Sequence, residues 1–257
     1  MVVDFDKVAF HIFSWPVHWY GIMYLVGFLA GWGLARYRAA KPGSGWNAQK
    51  VDDWLFYGGM GVILGGRIGY VIFYNFSAFI HEPLILLRIW EGGMSFHGGL
   101  LGVMFAMWLF ARKYKDGYFQ VMDFTAPMVA PALAAGRLGN FINAELWGKP
   151  TDLPWGMVFQ GAGPLPVHPT PLYEALLEGV VLFILVWWFS SKPRPTMAVS
   201  GVFAIGYATF RILVEFVRLP DAHMGYLAFG WVTQGMLLSA PLGLFGMYLM
   251  WRAYRKT

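Results

Sequence analysis

The chain has 257 residues, of which 58% are hydrophobic and only 13% are charged. Soluble domains carry about 25% charged residues, so this composition excludes an ordinary soluble protein and favours one embedded in a bilayer. The net charge of +5 is spread over segments between apolar runs and does not form the basic stripe of a nucleic-acid-binding surface. The chain has no cysteine, which excludes a thiol nucleophile, a disulfide framework and thiolate metal sites.

Seven apolar runs follow one another, each near the roughly 20 residues that a membrane-spanning helix requires. They cover residues 19–35, 54–74, 94–110, 124–141, 172–189, 202–216 and 232–251. The N-terminal sequence lacks the basic segment of a cleavable signal peptide, so we expect the first run to stay as an anchor. The sequence therefore predicts an all-α integral membrane protein with seven transmembrane helices, forming a single membrane-embedded enzyme domain over residues 1–257.

The placement of lysine and arginine predicts the orientation of these helices. Twelve of the 19 basic residues follow the first, third, fifth and seventh runs: Arg36, Arg38, Lys41, Lys50, Arg112, Lys113, Lys115, Lys192, Arg194, Arg252, Arg255 and Lys256. Because basic loops stay in the cytoplasm, we expect the N-terminus outside and the C-terminus in the cytoplasm. Residues 75–93 would then form an outer interfacial segment with a short helix, and residues 142–171 an ordered outer cap.

Polar residues within the runs collect toward the outer ends of the predicted helices. They are Tyr20, Arg67, Tyr70, Tyr74, His97, Arg137, Asn140, Glu174, Tyr207, Arg211 and Glu215. Burying such groups in hydrocarbon is costly, so the cluster indicates a functional site in the outer half of the bilayer. Arginines at headgroup depth favour a phosphate ligand, because guanidinium binds phosphate through paired hydrogen bonds and stays charged.

The arginines have alternative roles that the sequence leaves open. A single arginine near a helix end can reach water by snorkelling. Arg211 can pair with Glu215 at the i, i+4 spacing of a helix, which would make Glu215 partly structural. Glu145 could likewise pair with Arg137, and Arg67 is equally compatible with a phosphate site and with snorkelling.

His97 lies in the segment MSFHGGLLG, where two following glycines leave room for a ligand. Imidazole titrates near neutral pH, so His97 could act as a base or orient substrate, and a purely structural role is the alternative. The sequence shows no histidine or carboxylate spacing typical of a metal site, and no G-x-S-x-G elbow or aspartate-rich magnesium cluster. We therefore predict no metal and no cofactor.

Six segments in chain order resemble the prolipoprotein diacylglyceryl transferases. They read HWYGIMYLVGF (18–28), GGRIGYVIFYN (65–75), GGMSFHGGL (92–100), GRLGNFINAELWG (136–148), HPTPLYEALLEG (168–179) and GYATFRILVEFVRLPD (206–221). The thirteen residues 136–148 form the most specific of them. One departure is QGMLLSAP at 234–241, where the family usually has a Gly-Gln pair before its Leu-Ser-x-Pro turn.

The resemblance implies transfer of the diacylglyceryl group of phosphatidylglycerol to the lipobox cysteine of a prolipoprotein signal peptide. It implies a multi-pass protein of the bacterial cytoplasmic (inner) membrane, in contact with membrane lipids and with its active site facing the outer leaflet. Catalytic roles are expected for His97, Arg137 and Arg211. Substrate-binding roles are expected for Tyr20, Arg67, Asn140, Asn143, Glu145, Gly148, Tyr207 and Glu215.

Two other classes of protein are less consistent with these residues. A transporter or lipid flippase would place its polar groups near the bilayer midplane, between symmetric repeats. A different headgroup enzyme would need metal-binding carboxylates or an internal nucleophile, and neither is found in the sequence. Which residue accepts the proton of the substrate thiol does not follow from the sequence.

Overall fold

The computed structural model describes residues 1–220 and 224–255. Asp221, which ends the last resembling segment, and Lys256 of the C-terminal basic group lie outside the described residues. The chain divides into two compact units. Unit 1 comprises Met1–Leu34 and Asp123–Thr257, and unit 2 comprises Ala35–Met122.

Both units are built mainly from helices. The helices are α1 (Trp19–Ala39), α2 (Ala48–Tyr74), α3 (Phe76–His81), α4 (Phe96–Tyr114), α5 (Tyr118–Ile142), α6 (Thr170–Glu174), α7 (Leu182–Phe189), α8 (Ala198–Glu215) and α9 (Gln234–Arg255). A π-helical segment, Ala175–Val181, joins α6 to α7 in one continuous rod. Each of the seven predicted spans overlaps one long helix, so the helical part of the prediction is confirmed.

Within the described part of the chain, three helical segments are apolar and long enough to cross a membrane: Ala48–Tyr74, Thr170–Phe189 and Ala198–Glu215. Their apolar side chains are in large part exposed on the protein surface, as expected for helices that face lipid. Together with the composition, these segments define a helical membrane protein.

In residues 1–220 and 224–255, four short strands depart from the all-α prediction. They are β1 (Val2–Val3), β2 (Val8–Ile12), β3 (Trp15–His18) and β4 (Val158–Phe159). Strand β1 pairs in parallel with β4, and β2 forms an antiparallel hairpin with β3. Non-helical backbone must find hydrogen-bond partners elsewhere, and two short ladders supply them, one from β1 to β4 in segment 142–171 and one within the N-terminal hairpin.

Small residues bring the helices of unit 1 into close contact. A Cβ atom on Gly27 of α1 would lie 3.0 Å from the Cα atom of Ala132 in α5. A Cβ atom on Gly179 would lie 2.8 Å from the Cα atom of Ala134. Helix α5 therefore packs directly against α1 on one side and against the π-helical segment on another. Ala130 and Leu182 form part of the buried core between these helices.

The interface of α2 with α4 in unit 2 is also lined by glycine. Gly61, Gly65 and Gly69 of α2 face Gly98 and Gly102 of α4, so that the two backbones approach closely. A Cβ atom on Gly65 would lie 2.7 Å from the Cα atom of Gly102. This is the small-residue packing typical of helix pairs in membranes.

Segment 75–93 is helical, but only in short pieces. Helix α3 is followed by two 3₁₀ turns, Pro83–Leu87 and Ile89–Glu91. Arg88 separates them with a non-helical backbone (φ −81°, ψ 63°). The predicted short helix over this apolar stretch is thus broken into two 3₁₀ turns.

Candidate active site

Three arginines and three glutamates form a buried cluster in unit 1. Arg137 comes from the last turns of α5, Arg211 and Glu215 from the end of α8, and Arg218 from the residues just after it. Glu174 ends α6, and Glu178 lies in the π-helical segment. The side chains of Glu174 and Glu178 are fully buried, and those of the arginines are buried for the most part.

Glu174 contacts all three arginines of this cluster. Its Oε2 atom lies 3.1 Å from Nε of Arg137. Its Oε1 atom accepts hydrogen bonds from Nη1 of Arg211 and, at 2.9 Å, from Nη1 of Arg218. One carboxylate therefore links guanidinium groups from α5, from α8 and from the segment after α8.

The other two glutamates complete the ion-pair network. Oε2 of Glu178 lies 3.4 Å from Nη2 of Arg137, and Oε1 of Glu178 lies 3.8 Å from Nη1 of Arg211. Glu215 pairs with Nη2 of Arg211 at the i, i+4 spacing and lies 3.7 Å from Nε of Arg218. The predicted Arg211–Glu215 pair is thus present, and Arg137 pairs with Glu174 and Glu178.

The four-residue spacing of Glu174 and Glu178 places both side chains on one face of the rod from Thr170 to Phe189. Glu174 and Glu178 are four residues apart in a rod whose turns are wider than those of an α-helix between Ala175 and Val181. π-Helical turns inside α-helices are frequently found at functional sites. Gly179 next to Glu178 allows this part of the rod to pack against α5, which carries Arg137.

The start of α9 supports the carboxylate of Glu215. The hydroxyl of Thr233 donates a hydrogen bond to Oε2 of Glu215. A Cβ atom on Gly235 would lie 2.6 Å from the Cδ atom of Glu215 and 3.1 Å from Nη2 of Arg211. A small pocket opens here, lined in part by Arg211, Arg218 and Gly235.

A second polar group, near the end of α5, joins four other predicted residues. Nδ2 of Asn140 donates to Oε1 of Glu145 at 2.8 Å, and Nδ2 of Asn143 lies 3.4 Å from the same oxygen. The ring of Tyr20 packs against Gly139, and its hydroxyl lies 3.3 Å from that of Tyr24. Glu145 is therefore held by the asparagines.

Gly148 and Tyr207 have packing roles in the structure. The N–H of Gly148 donates to the carbonyl of His168 at 2.8 Å, and a Cβ atom here would lie 2.8 Å from Cβ of His168. Partial burial, followed by the positive charge of Lys149, lowers the pKa of His168 below its usual value. Tyr207 packs against the buried core of unit 1, one helical turn before Arg211.

Arg67 and His97 belong to unit 2. The guanidinium of Arg67 donates to the backbone carbonyls of Ile85, Leu86, Gly92 and Gly93, so it fastens segment 75–93 to α2. His97 is exposed in the first turn of α4, with its ring edge-on to that of Phe96. Substrate contacts of both residues stay predictions.

Sequence reasoning anticipated part of this arrangement. It singled out Arg137, Arg211 and Glu215, which the structure brings together. It noted Glu174 without a role, and it missed Glu178 and Arg218 as members of the site. Two glutamates four residues apart in the otherwise apolar stretch LYEALLEG were the available signal.

The fold and the cluster define a helical membrane protein that keeps a charged site away from water. Comparison with known proteins gives the family. Residues 7–252 match the family model described as prolipoprotein diacylglyceryl transferase. The chain belongs to this family and is a membrane transferase of lipoprotein biosynthesis.

Curated relatives cover nearly the whole chain. One from Oleidesulfovibrio alaskensis is 61% identical over 96% of this chain and 92% of its own length. One from Nitratidesulfovibrio vulgaris is 57% identical over 96% and 93%, and one from Coxiella burnetii is 56% identical over 97% and 96%. Each is named phosphatidylglycerol–prolipoprotein diacylglyceryl transferase.

Proposed function

We propose that this chain transfers the diacylglyceryl group of phosphatidylglycerol to the lipobox cysteine of prolipoproteins, the first step of lipoprotein maturation. The observation that carries the proposal is the buried group of arginines held on α5 and α8, in a chain that belongs to this family. Arg137 and Arg211 provide fixed donors for the phosphate of the lipid.

The reaction is a substitution at the glycerol carbon that bears the phosphate. The substrate thiolate attacks this carbon, a C–S bond forms, and the C–O bond to phosphate breaks. The electron pair of that bond goes to the phosphate oxygen, so glycerol phosphate leaves and a thioether remains. Negative charge grows on the departing phosphate, where buried guanidinium groups stabilise it more strongly than water would.

The remaining predicted residues bind or orient the substrates. Tyr20, Asn140, Asn143 and Glu145 form one polar group at the end of α5, suited to the headgroup or to the backbone of the signal peptide. Gly148, Tyr207, Glu215 and Arg67 are assigned to substrate binding as well. His97 accepts the thiol proton, directly or through water, or orients a substrate.

The protein is proposed to cross the bacterial cytoplasmic membrane seven times as a single embedded enzyme, with the N-terminus outside and the site facing the outer leaflet. Residues 75–93 form an outer interfacial segment and residues 142–171 an outer cap. Ion pairs at one end of unit 2 support this orientation, since Lys50 lies 2.6 Å from Asp116 and Arg36 lies 3.2 Å from Asp52. The lysine and arginine residues at this end are typical of the cytoplasmic side.

The direct test is an assay with purified enzyme, phosphatidylglycerol vesicles and a synthetic lipobox peptide. We expect the peptide mass to rise by one diacylglyceryl group, with release of glycerol phosphate. A peptide with serine in place of the lipobox cysteine is the matched control and should stay unmodified. A cysteine peptide that stays unmodified with active, folded enzyme would contradict the proposal.

A further inference from the structure

Among the residues that the structure describes, the arginines and glutamates of the cluster are equal in number. Arg137, Arg211 and Arg218 face three carboxylates, and two of these, Glu174 and Glu178, are fully buried. A buried charge is stable only when it is paired, so the glutamates offset the cost of burying the arginines. They also occupy the guanidinium groups that the proposed function assigns to the lipid phosphate.

Glu174 has a position that no other residue of the cluster shares. It contacts guanidinium groups from α5, from α8 and from the segment after α8. Its backbone belongs to the rod that also carries Glu178. Removing this carboxylate would leave Arg137 without its nearest acceptor, and Glu178, at the longer distances of 3.4 and 3.8 Å, would remain as the carboxylate that contacts both Arg137 and Arg211.

The pairing is partly electrostatic. Among the described residues, Oε2 of Glu174, Oε1 of Glu178 and Oε1 of Glu215 are buried and accept no hydrogen bond of good geometry. They nevertheless lie at ion-pair distance from arginine nitrogens. A phosphate can therefore compete for the guanidinium donors without first breaking a fully satisfied hydrogen-bond network.

We propose that Glu174, assisted by Glu178, is a positioning residue that holds Arg137 and Arg211 at the spacing the phosphate needs and competes with that phosphate until the substrate arrives. This inference rests on the proposed function. It predicts that the two glutamates weaken the binding of anions to the arginines but raise the rate of turnover.

The test compares Glu174→Gln with wild-type enzyme in the peptide assay, using glycerol phosphate as an inhibitor. The amide keeps the shape of the side chain but leaves the cluster with one excess positive charge. We expect glycerol phosphate to bind more tightly by on the order of tenfold, the size of effect that one neighbouring charge has on an ionisable group. We expect kcat to fall on the order of 10- to 100-fold, because the arginines lose the carboxylate that contacts all three of them.

Asp123→Asn is the matched control. Asp123 of α5 accepts hydrogen bonds from the N–H groups of Met197 and Ser200 at 2.7 and 2.8 Å, so it caps the start of α8 and contacts none of the cluster arginines in the described residues. This variant should lose thermal stability while the inhibition constant of glycerol phosphate stays at the wild-type value. A structural role for Glu174 would give the same pattern.

The outcomes separate the inference from the proposed function. A wild-type enzyme that does not modify the peptide contradicts the proposed function. The positioning role alone is overturned if the wild type is active and the folded Glu174→Gln variant is inhibited by glycerol phosphate equally or more weakly. If Glu174→Gln does not fold, Glu178→Gln decides by the same two measurements, and failure of both variants to fold shows that the glutamates are structural and overturns the inference.

Discussion

At the scale of single residues, the proposed function depends on how the arginine side chains are held. Arg137 and Arg211 are fixed by carboxylates on neighbouring helices, so their guanidinium planes are oriented before a substrate binds. Preoriented donors in a dry site stabilise developing charge without reorganising, which is the main advantage of a buried site over an exposed one. Arg67 is also held in place, but by backbone carbonyls of segment 75–93.

Replacing either cluster arginine tests this directly. Arg137→Ala and Arg211→Ala should each lower turnover by about 10²-fold or more, because each removes a donor to the departing phosphate. The rate is measured with the lipobox peptide, and folding is checked by thermal unfolding in detergent. Near wild-type rates in both folded variants would rule out the phosphate site.

Arg137→Lys distinguishes charge from geometry. Lysine keeps the positive charge but cannot contact Glu174 and Glu178 with the planar group of arginine. We expect this variant to recover little activity relative to Arg137→Ala, because a point charge does not reproduce a bidentate donor. Full recovery in the same assay would show that only the charge matters.

His97→Gln separates a base from a substrate-orienting group. Glutamine keeps hydrogen bonding but does not accept a proton productively. If His97 is the base, the variant should lose activity strongly at pH 7 and recover partly at pH 9, where more of the substrate thiol is already thiolate. If His97 only orients substrate, the variant should follow the pH trend of the wild type, as measured by kcat/KM with the peptide.

At the scale of elements, the glycine-lined contact between α2 and α4 determines how closely two helices can lie. A Cβ atom on Gly65 would lie 2.7 Å from the backbone of Gly102, whereas one on Gly59 of the same helix would meet no neighbouring group of the described residues within 4 Å. Replacing glycine by alanine therefore creates a close contact at Gly65 but none at Gly59. Overpacking a close interface typically costs about 1–3 kcal/mol.

Gly65→Ala should therefore lower the free energy of unfolding by about 1–3 kcal/mol, the cost of an overpacked interface. The midpoint of thermal unfolding in detergent should fall accordingly. Gly59→Ala is the matched control and should leave the midpoint unchanged or raise it. Equal midpoints for the two variants would mean that the helices can separate without loss of stability.

At the scale of the whole molecule, the orientation in the membrane decides which leaflet the site faces. A reporter that is active only outside the cytoplasm should be active when inserted within residues 152–167. The same reporter fused after Thr257 should be silent, because we expect the basic residues that follow the seventh run to keep that end in the cytoplasm. The reverse pattern of reporter activity would place the arginine cluster at the opposite leaflet.

The sequence by itself determined the helical membrane class, the approximate positions of the long helices and the family. These follow from local properties of the sequence. A helix in lipid forms all its backbone hydrogen bonds within itself, and its sequence is a continuous apolar run. The motif of residues 136–148 also points to Arg137, Asn140, Asn143 and Glu145, because these polar residues follow an apolar run at close spacing. The pair of Arg211 with Glu215 could also be predicted, because residues four apart are neighbours on one face of a helix.

Only the tertiary structure decided the partners of the charged residues. Arg137 and Glu174 are 37 residues apart in sequence, and their contact depends on how α5 packs against the rod from Thr170 to Phe189. The alternative pair of Arg137 with Glu145 was equally compatible with the spacing. The π-helical turns around Glu178 and the short strands also depend on neighbouring segments. Such contacts arise from packing between distant parts of the chain, and a single sequence carries no direct record of them.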